Sequence, residues 1–453
     1  MPLVLGVDSS LDATTVELRD SDDGRVYGDG RAAHPANRGP EEDPAIWWQA
    51  LVDARHDAGG ALGVAAVAAA ARQPGLVVLD DAGKCIGCAR VGRDPEAAPD
   101  ARRLEEQLGR FDWATACGSV PHDGLTIAKL AHLARTAPEA FARVAWVLQP
   151  HDWLTFRLSR RVVTDRGDAS GTGYWSPRDG VWRPDLLALV DESRDWDECL
   201  PAVLEPSEPA GDREGVIIAP GTGEPMAIAL GLGLAPGDVV IDSDSRVFAV
   251  RERPTEDPTG TVSGYADATG RYLPLVESID TSAVTGGLAR VLELDRTRFD
   301  QLAQAAPAGA HGVTFIPPSS VAGGSLHGIR SDVGPEDIAR AAIEGVACVL
   351  LDAIDALRTA DVPVGGRLFL VGRGARSHAL RQILADLAQR PIAVPKGNRA
   401  ATGACVQAAA TLQGRPPDEV SAAWGLHDAR EVEPNSRVDG EETRARWRAS
   451  QRS

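Results

Sequence analysis

The turn Gly372-Arg373-Gly374-Ala375-Arg376-Ser377 lies between an apolar run, Leu368 to Val371, and a helical pattern from about His378 to Arg390. Glycines beside a helix N-terminus expose backbone N–H groups, a setting that suits an anion such as phosphate. The guanidinium of Arg373 either pairs with that anion or fills the slot beside it. A second turn, Asp242-Ser243-Asp244, offers the opposite chemistry. Two like charges ~4 Å apart repel by about 1 kcal/mol in water, and a bound cation would reverse the sign. Cys85-Ile86-Gly87-Cys88 is half of a tetrahedral zinc site with no second pair, so no zinc is expected there. His122, His151 and His327 have no second ligand at metal spacing, and no metal site is expected at them.

These residues need elements to hold them. Leu3 to Val7 reads as a buried strand, followed by the polar turn Asp8-Ser9-Ser10-Leu11-Asp12-Ala13 and an alternating strand over Thr14 to Arg19. A further turn at Asp20 to Gly24 leads to a third strand over Arg25 to Arg31. Asp43 and Pro44 have the form of an N-cap and first helical residue. Val64 to Ala70 and Gly75 to Leu79 read as core strands. A second hairpin, Asp238 to Ile241 and Val247 to Val250, echoes the first, as expected of a duplicated fold.

Several longer stretches carry a family resemblance. Pro220-Gly221-Thr222-Gly223-Glu224-Pro225-Met226-Ala227-Ile228-Ala229-Leu230-Gly231-Leu232-Gly233 resembles the G-x-G-D-N-x-A-x-A-x-G-x-G segment of the FGGY carbohydrate kinases. Thr126-Ile127-Ala128-Lys129-Leu130 is similar to that family's T-x-x-K-L. Leu148-Gln149-Pro150-His151-Asp152-Trp153-Leu154-Thr155 is similar to L-P-H-D-W-L-T. Thr164 to Trp175 matches T-D-R-S-D-A-S-G-T-G-Y-W almost residue for residue. The resemblance runs from about residue 3 to 412 and is nearest to actinobacterial-type xylulokinases. It implies an α/β chain with the two-domain actin-like (ribonuclease-H-like) FGGY sugar kinase fold and an interdomain cleft. The expected partition is an N-terminal domain over 1–233, a C-terminal domain over 234–427 and a charged tail over 428–453.

The resemblance also implies roles. Glu224 stands where the family has the Asp that takes the proton from the attacking sugar hydroxyl. Asp8 would orient a metal-bound water. Asp8, Ser10, Ser243, Gly372, Arg373, Gly374, Ala375 and Gly403 would lie on the nucleotide, ATP with Mg2+. Gln73 and Asp94 would lie on a sugar or polyol ligand. A homodimer is implied as well.

The departures from the family pattern fall at these same places. Leu11, Asp12 and Thr15 replace Thr, Gln and Lys in the first phosphate hairpin, and Asp242-Ser243-Asp244 stands near S-I-G-T-S-G in the second. Pro74 replaces a sugar-side His, Arg373 a Gly, and Pro225 an Asn, which removes a backbone donor. A Glu carries its carboxylate one methylene further out than an Asp, and misplacing a reacting group by ~1 Å can cost ~10²-fold. The expectation is a xylulokinase-like chain impaired in catalysis, a pseudokinase. The alternatives are an active divergent sugar or polyol kinase with Glu224 as base, and a non-catalytic structural or oligomerising partner.

Bulk properties narrow the field. The formal charge of −18 over 453 residues argues against a nucleic-acid surface, which needs clustered Lys and Arg. It also disfavours an anionic membrane. The N-terminus lacks the charged and long apolar regions of a signal peptide, and no apolar run reaches the ~18 residues of a membrane span. Six scattered cysteines form no disulfide framework. A cytoplasmic protein is expected.

Overall fold

The computed structural model describes residues 2–35, 39–60, 63–318, 323–426 and 429–451. The chain folds into two compact units. The first contains Met1–Leu234, Val250–Pro274 and Gly397–His427; the second contains Ala235–Ala249, Leu275–Lys396 and Asp428–Ser453. This differs from a partition by simple chain order, and the reason is visible in the packing of two helices. Arg399–Gln413 lies against Glu224–Leu232. A Cβ on Gly403 would fall 1.8 Å from the Ala227 carbonyl oxygen, and one on Gly231 would fall 2.0 Å from that of Arg399. The two glycines let the helix backbones touch, which fixes the late helix in the first unit.

The first unit is built on a sheet in the order Gly211–Arg213, Val216–Ile218, Val64–Ala71, Leu3–Ser9, Ala13–Asp20, Val26–Ala33. Leu3–Ser9 runs antiparallel to Ala13–Asp20 and parallel to Val64–Ala71. Val4, Val7 and Val16 are completely buried, which is why these strands read as near-continuous apolar runs. Thr222–Gly223 adds a short parallel pairing on Ala70 and Ala71. Asp43 caps the helix Pro44–Asp57 by accepting from the Ala45 N–H at 2.9 Å. That helix buries Trp47 edge-on against Trp153, with ring centroids 6.0 Å apart and planes at 81°. The Trp47 indole N–H is satisfied by Glu42 at 2.8 Å.

The second unit repeats the motif. Val239–Asp242 and Arg246–Ala249 form a hairpin, with 275–277 beside the second strand. Leu368–Val371 pairs parallel to the first strand, Ile392–Pro395 follows, and Ala429–Val432 closes the edge. The expected charged tail is a folded part of this unit. Ala429–Val432 pairs antiparallel with Ile392–Pro395, and the helix Gly440–Ser450 buries Trp447, whose indole donates to the Phe315 carbonyl at 2.9 Å. The basic side chains Arg444 and Arg448 both reach Asp352 and Asp355 on the helix Pro335–Thr359. The charges that make the segment look like a tail are its docking contacts.

Candidate active site

Asp8 ends the opening strand just before its hairpin turn, and only 2% of it is exposed. Ser10 donates its hydroxyl to Asp8 Oδ2, as does the Asn398 side-chain amide at 2.7 Å. Burial, and then the charge of Glu224, push the Asp8 carboxyl up to about 7, although both hydrogen bonds favour its ionised form. Asp8 and Glu224 are thus neighbours. Glu224 is half-buried and is the first residue of the helix Glu224–Leu232. Pro225 sits in that helix's first turn, where backbone N–H groups have no intrahelical partner in any case. Its expected cost as a lost donor therefore does not arise.

The segment that delivers Glu224 is held along its length. Thr155 donates to the Pro220 carbonyl at 3.3 Å and Gln407 to that of Gly221 at 3.0 Å. The Thr222 hydroxyl donates to Asp165 Oδ2 at 2.7 Å. Gln73, expected on the sugar, is buried and donates to the Gly167 carbonyl at 3.0 Å. Its Oε1 lies 2.3 Å from where a Cβ on Gly223 would stand, so Gln73 wedges the strand before Glu224. Asp94, also expected on the sugar, is wholly buried, bridged to Arg90, and caps the turn at Pro95–Ala97 by accepting from the Glu96 N–H at 3.1 Å.

Behind that segment lies a buried charge cluster. His151 Nδ1 donates to Asp168, and its Nε2 stands 3.2 Å from Asp152 and 3.9 Å from Asp165. Burial alone would lower the imidazole pKa, but the carboxylates of Asp152, Asp168 and Asp165 outweigh it and lift it to about 9. Among the described residues, His151, Asp152 and Asp168 are the group whose ligand atoms come close enough to hold an ion. His151 therefore has ligand-type neighbours that its spacing in the sequence does not show. The fold brings Asp168 across from another segment. With its pKa lifted to about 9 the ring is an imidazolium, whose Nε2 faces Asp152 without a hydrogen bond, whereas a metal ligand is a neutral imidazole.

In the second unit the candidate nucleotide residues form one knot. Ser243 is completely buried; its hydroxyl donates to the Val371 carbonyl at 2.8 Å and accepts from the Gly374 N–H at 2.8 Å. The Arg373 N–H donates to Asp244 at 3.2 Å, and its guanidinium bridges Asp244 at 3.0 Å and Asp280 at 2.8 Å. Gly372 has φ +84, and a Cβ there would meet Ser243 Oγ at 2.6 Å, so only glycine fits. Ala375 is buried. Asp244 was expected as an uncompensated acid; instead it is neutralised by Arg373. Gly403, expected near the nucleotide, serves the helix contact described above.

Two functional partners escaped the sequence. Asn398 and Asp280 lie far along the chain from the residues they touch and carry no local motif. Thr222 and Asp165 lie inside matched segments, yet nothing in their spacing shows that one donates to the other.

The amino-terminal-domain model of the FGGY family of carbohydrate kinases matches residues 15–231, and its carboxy-terminal-domain model matches residues 295–412. A xylulose kinase from Streptomyces rubiginosus is 38% identical over 450 residues, covering 93% of this chain and 91% of that protein. The crystal structure of xylulose kinase from Bifidobacterium adolescentis superposes with a TM-score of 0.84 at 31% identity, covering 99% of each chain. A glycerol kinase from Plasmodium falciparum shares the fold, with a TM-score of 0.85 at 17% identity over 100% of this chain and 98% of that one. With both domain models matched and this identity across nearly its whole length, the chain belongs to the FGGY family of carbohydrate kinases.

Proposed function

We propose that this chain is a xylulose-kinase-like, sugar- or polyol-binding FGGY protein whose phosphoryl transfer is impaired. One observation carries the reading: the Asp244 carboxylate sits on the Arg373 N–H and guanidinium, while Ser243 takes the Gly374 N–H. Phosphoryl transfer depends on N–H groups and cations placed to neutralise the transferring group. Here the chain's own side chains occupy them. The residues of the first unit do fit a metal-bound water, because Asp8 Oδ1 is buried and takes no hydrogen bond from the described residues. The turn at Gly372 does not fit the phosphates of ATP as it stands.

A coupled ADP-release assay with D-xylulose and Mg-ATP tests the reading. The expected turnover is at least ~10³-fold below that of an active family member, since lost transition-state contacts cost ~2–4 kcal/mol each. Ordinary kinase turnover, ~1–100 s⁻¹, contradicts it.

The second reading is an active, divergent kinase with Glu224 as base. It is favoured by the neighbouring Asp8 and Glu224 carboxylates, one of them pushed to near neutrality. Under it, Glu224→Gln abolishes a turnover that is measurable in the wild type. Homodimer formation, implied by the resemblance, is read by light scattering. No helix among the described residues is long and apolar enough to cross a membrane.

A further inference from the structure

The charge cluster behind the Glu224 segment is wholly buried. Its members are His151, Asp152, Asp165 and Asp168, all 2% exposed or less. Isolated charges are costly at such depth, and they persist only when each is paired and hydrogen-bonded. The cluster meets the rest of the unit through Asp152, which accepts from the Gln149 N–H at 2.7 Å, and through Asp165. Its Oδ1 accepts from the Asp168 N–H at 2.9 Å, and its Oδ2 accepts from the Gly167 N–H at 3.0 Å and from the Thr222 hydroxyl at 2.7 Å. Thr222 is two residues before Glu224, in a strand only two residues long that pairs with Ala70 and Ala71. So short a pairing fixes a strand poorly by itself. The remaining braces are the Gln73 side chain packed on Gly223 and carbonyl contacts further back, at Pro220 and Gly221.

We propose that the buried His151–Asp152–Asp165–Asp168 cluster is a positioning device that fixes the Thr222–Gly223 strand, and through it Glu224, by the single hydroxyl–carboxylate bond from Thr222 to Asp165. His151 is a positioning residue here, acting through Asp165. The ring stands between Asp168 on one side and Asp152 and Asp165 on the other. The inference rests on the reading in which Glu224 faces the reacting hydroxyl, but the strand's fixation can be measured without it.

The test is amide hydrogen exchange, by mass spectrometry, of the full-length protein without ligand. Three variants are compared with the wild type: Thr222→Val, which keeps the shape and removes the hydroxyl; Thr222→Ser, which keeps the hydroxyl; and Asp165→Asn. In Thr222→Val and Asp165→Asn, exchange across Gly221 to Met226 should accelerate by about ten-fold or more, the effect of losing one charge-assisted hydrogen bond. Exchange at Val239–Asp242 in the second unit should not change. Thr222→Ser should behave as the wild type. Equal exchange in Thr222→Val and wild type, or acceleration spread evenly over both units, overturns the proposal. Should Asp165→Asn fail to fold, the Thr222 pair decides alone. A wild-type turnover untouched by Glu224→Gln would refute the base assignment and leave the exchange result standing.

Discussion

The two acidic regions of this protein are built on opposite terms. The cluster around His151 is buried, with the imidazolium locked between carboxylates and the nearest hydroxyl aimed at Asp165. The knot around Arg373 is open: the Arg373 side chain is 29% exposed, and Asp244 and Asp280 are each 32% exposed. The difference separates stability from function. Breaking a buried ion pair strands a charge and is expensive, whereas a half-exposed pair contributes little to folding. Under the proposed function the open knot has the greater bearing on activity, because its side chains hold the Arg373 and Gly374 N–H groups. A side chain can thus matter to function through the group it occupies while mattering little to the fold.

The largest effect should come from breaking the buried side. His151→Phe leaves Asp152, Asp165 and Asp168 without their cation and should cost about 3–5 kcal/mol in chemical denaturation. Arg373→Ala should cost no more than about 1 kcal/mol in the same experiment, being a partly solvated pair. Similar losses from the two would erase the contrast.

The pH dependence of stability comes next. Asp8 has a folded pKa raised to about 7, so the folded state holds its proton more tightly than the unfolded one. Its contribution is therefore fully present below about pH 4 and is lost as pH rises to about 7. Asp8→Asn should flatten this part of the stability curve by an amount on the order of 1–3 kcal/mol. Because His151 is also raised, to about 9, the wild type should lose a further increment between about pH 6.5 and 9 that Asp8→Asn retains. Thermal melts of both proteins from pH 4 to 9 read both windows. Parallel curves across the lower window would mean that Asp8 titrates as an ordinary carboxylate.

A smaller effect is expected from opening the knot. Asp244→Thr combined with Arg373→Gly removes both the plugging carboxylate and its counter-charge. It should tighten Mg-ATP binding by about ten-fold, more than the two single changes summed, because the residues act as one unit. Simple additivity would show that they do not. Smallest of all, Glu224→Asp alone should leave turnover within a few-fold of the wild type, because the knot in the second unit is untouched. A strong rescue by that single change would place the defect in the first unit.

Much of the frame was legible because it depends on local pattern. The opening hairpin, the Asp43 cap and the second hairpin follow from alternation, turn residues and capping chemistry, and the matched motifs carry the family with them. Partnership across the chain was not legible. Nothing in the local sequence shows that Asp244 and Asp280 flank Arg373, or that Arg90 bridges Asp94. The segment after residue 428 reads as a tail because its arginines look solvated, whereas their partners lie on a helix some ninety residues earlier. Gly403 illustrates the same limit. Its motif marks it for the nucleotide, but its missing side chain is needed for two helix backbones to meet.

Calorimetric titration of the wild-type protein with Mg-ATP, in the presence of D-xylulose, tests the central claim most directly. The chain's own Asp244 and Ser243 hold the Arg373 and Gly374 N–H groups, so no saturable binding is expected below about 1 mM. A dissociation constant in the micromolar range would contradict it, because the knot would then open for the nucleotide and the turn would be a working phosphate site.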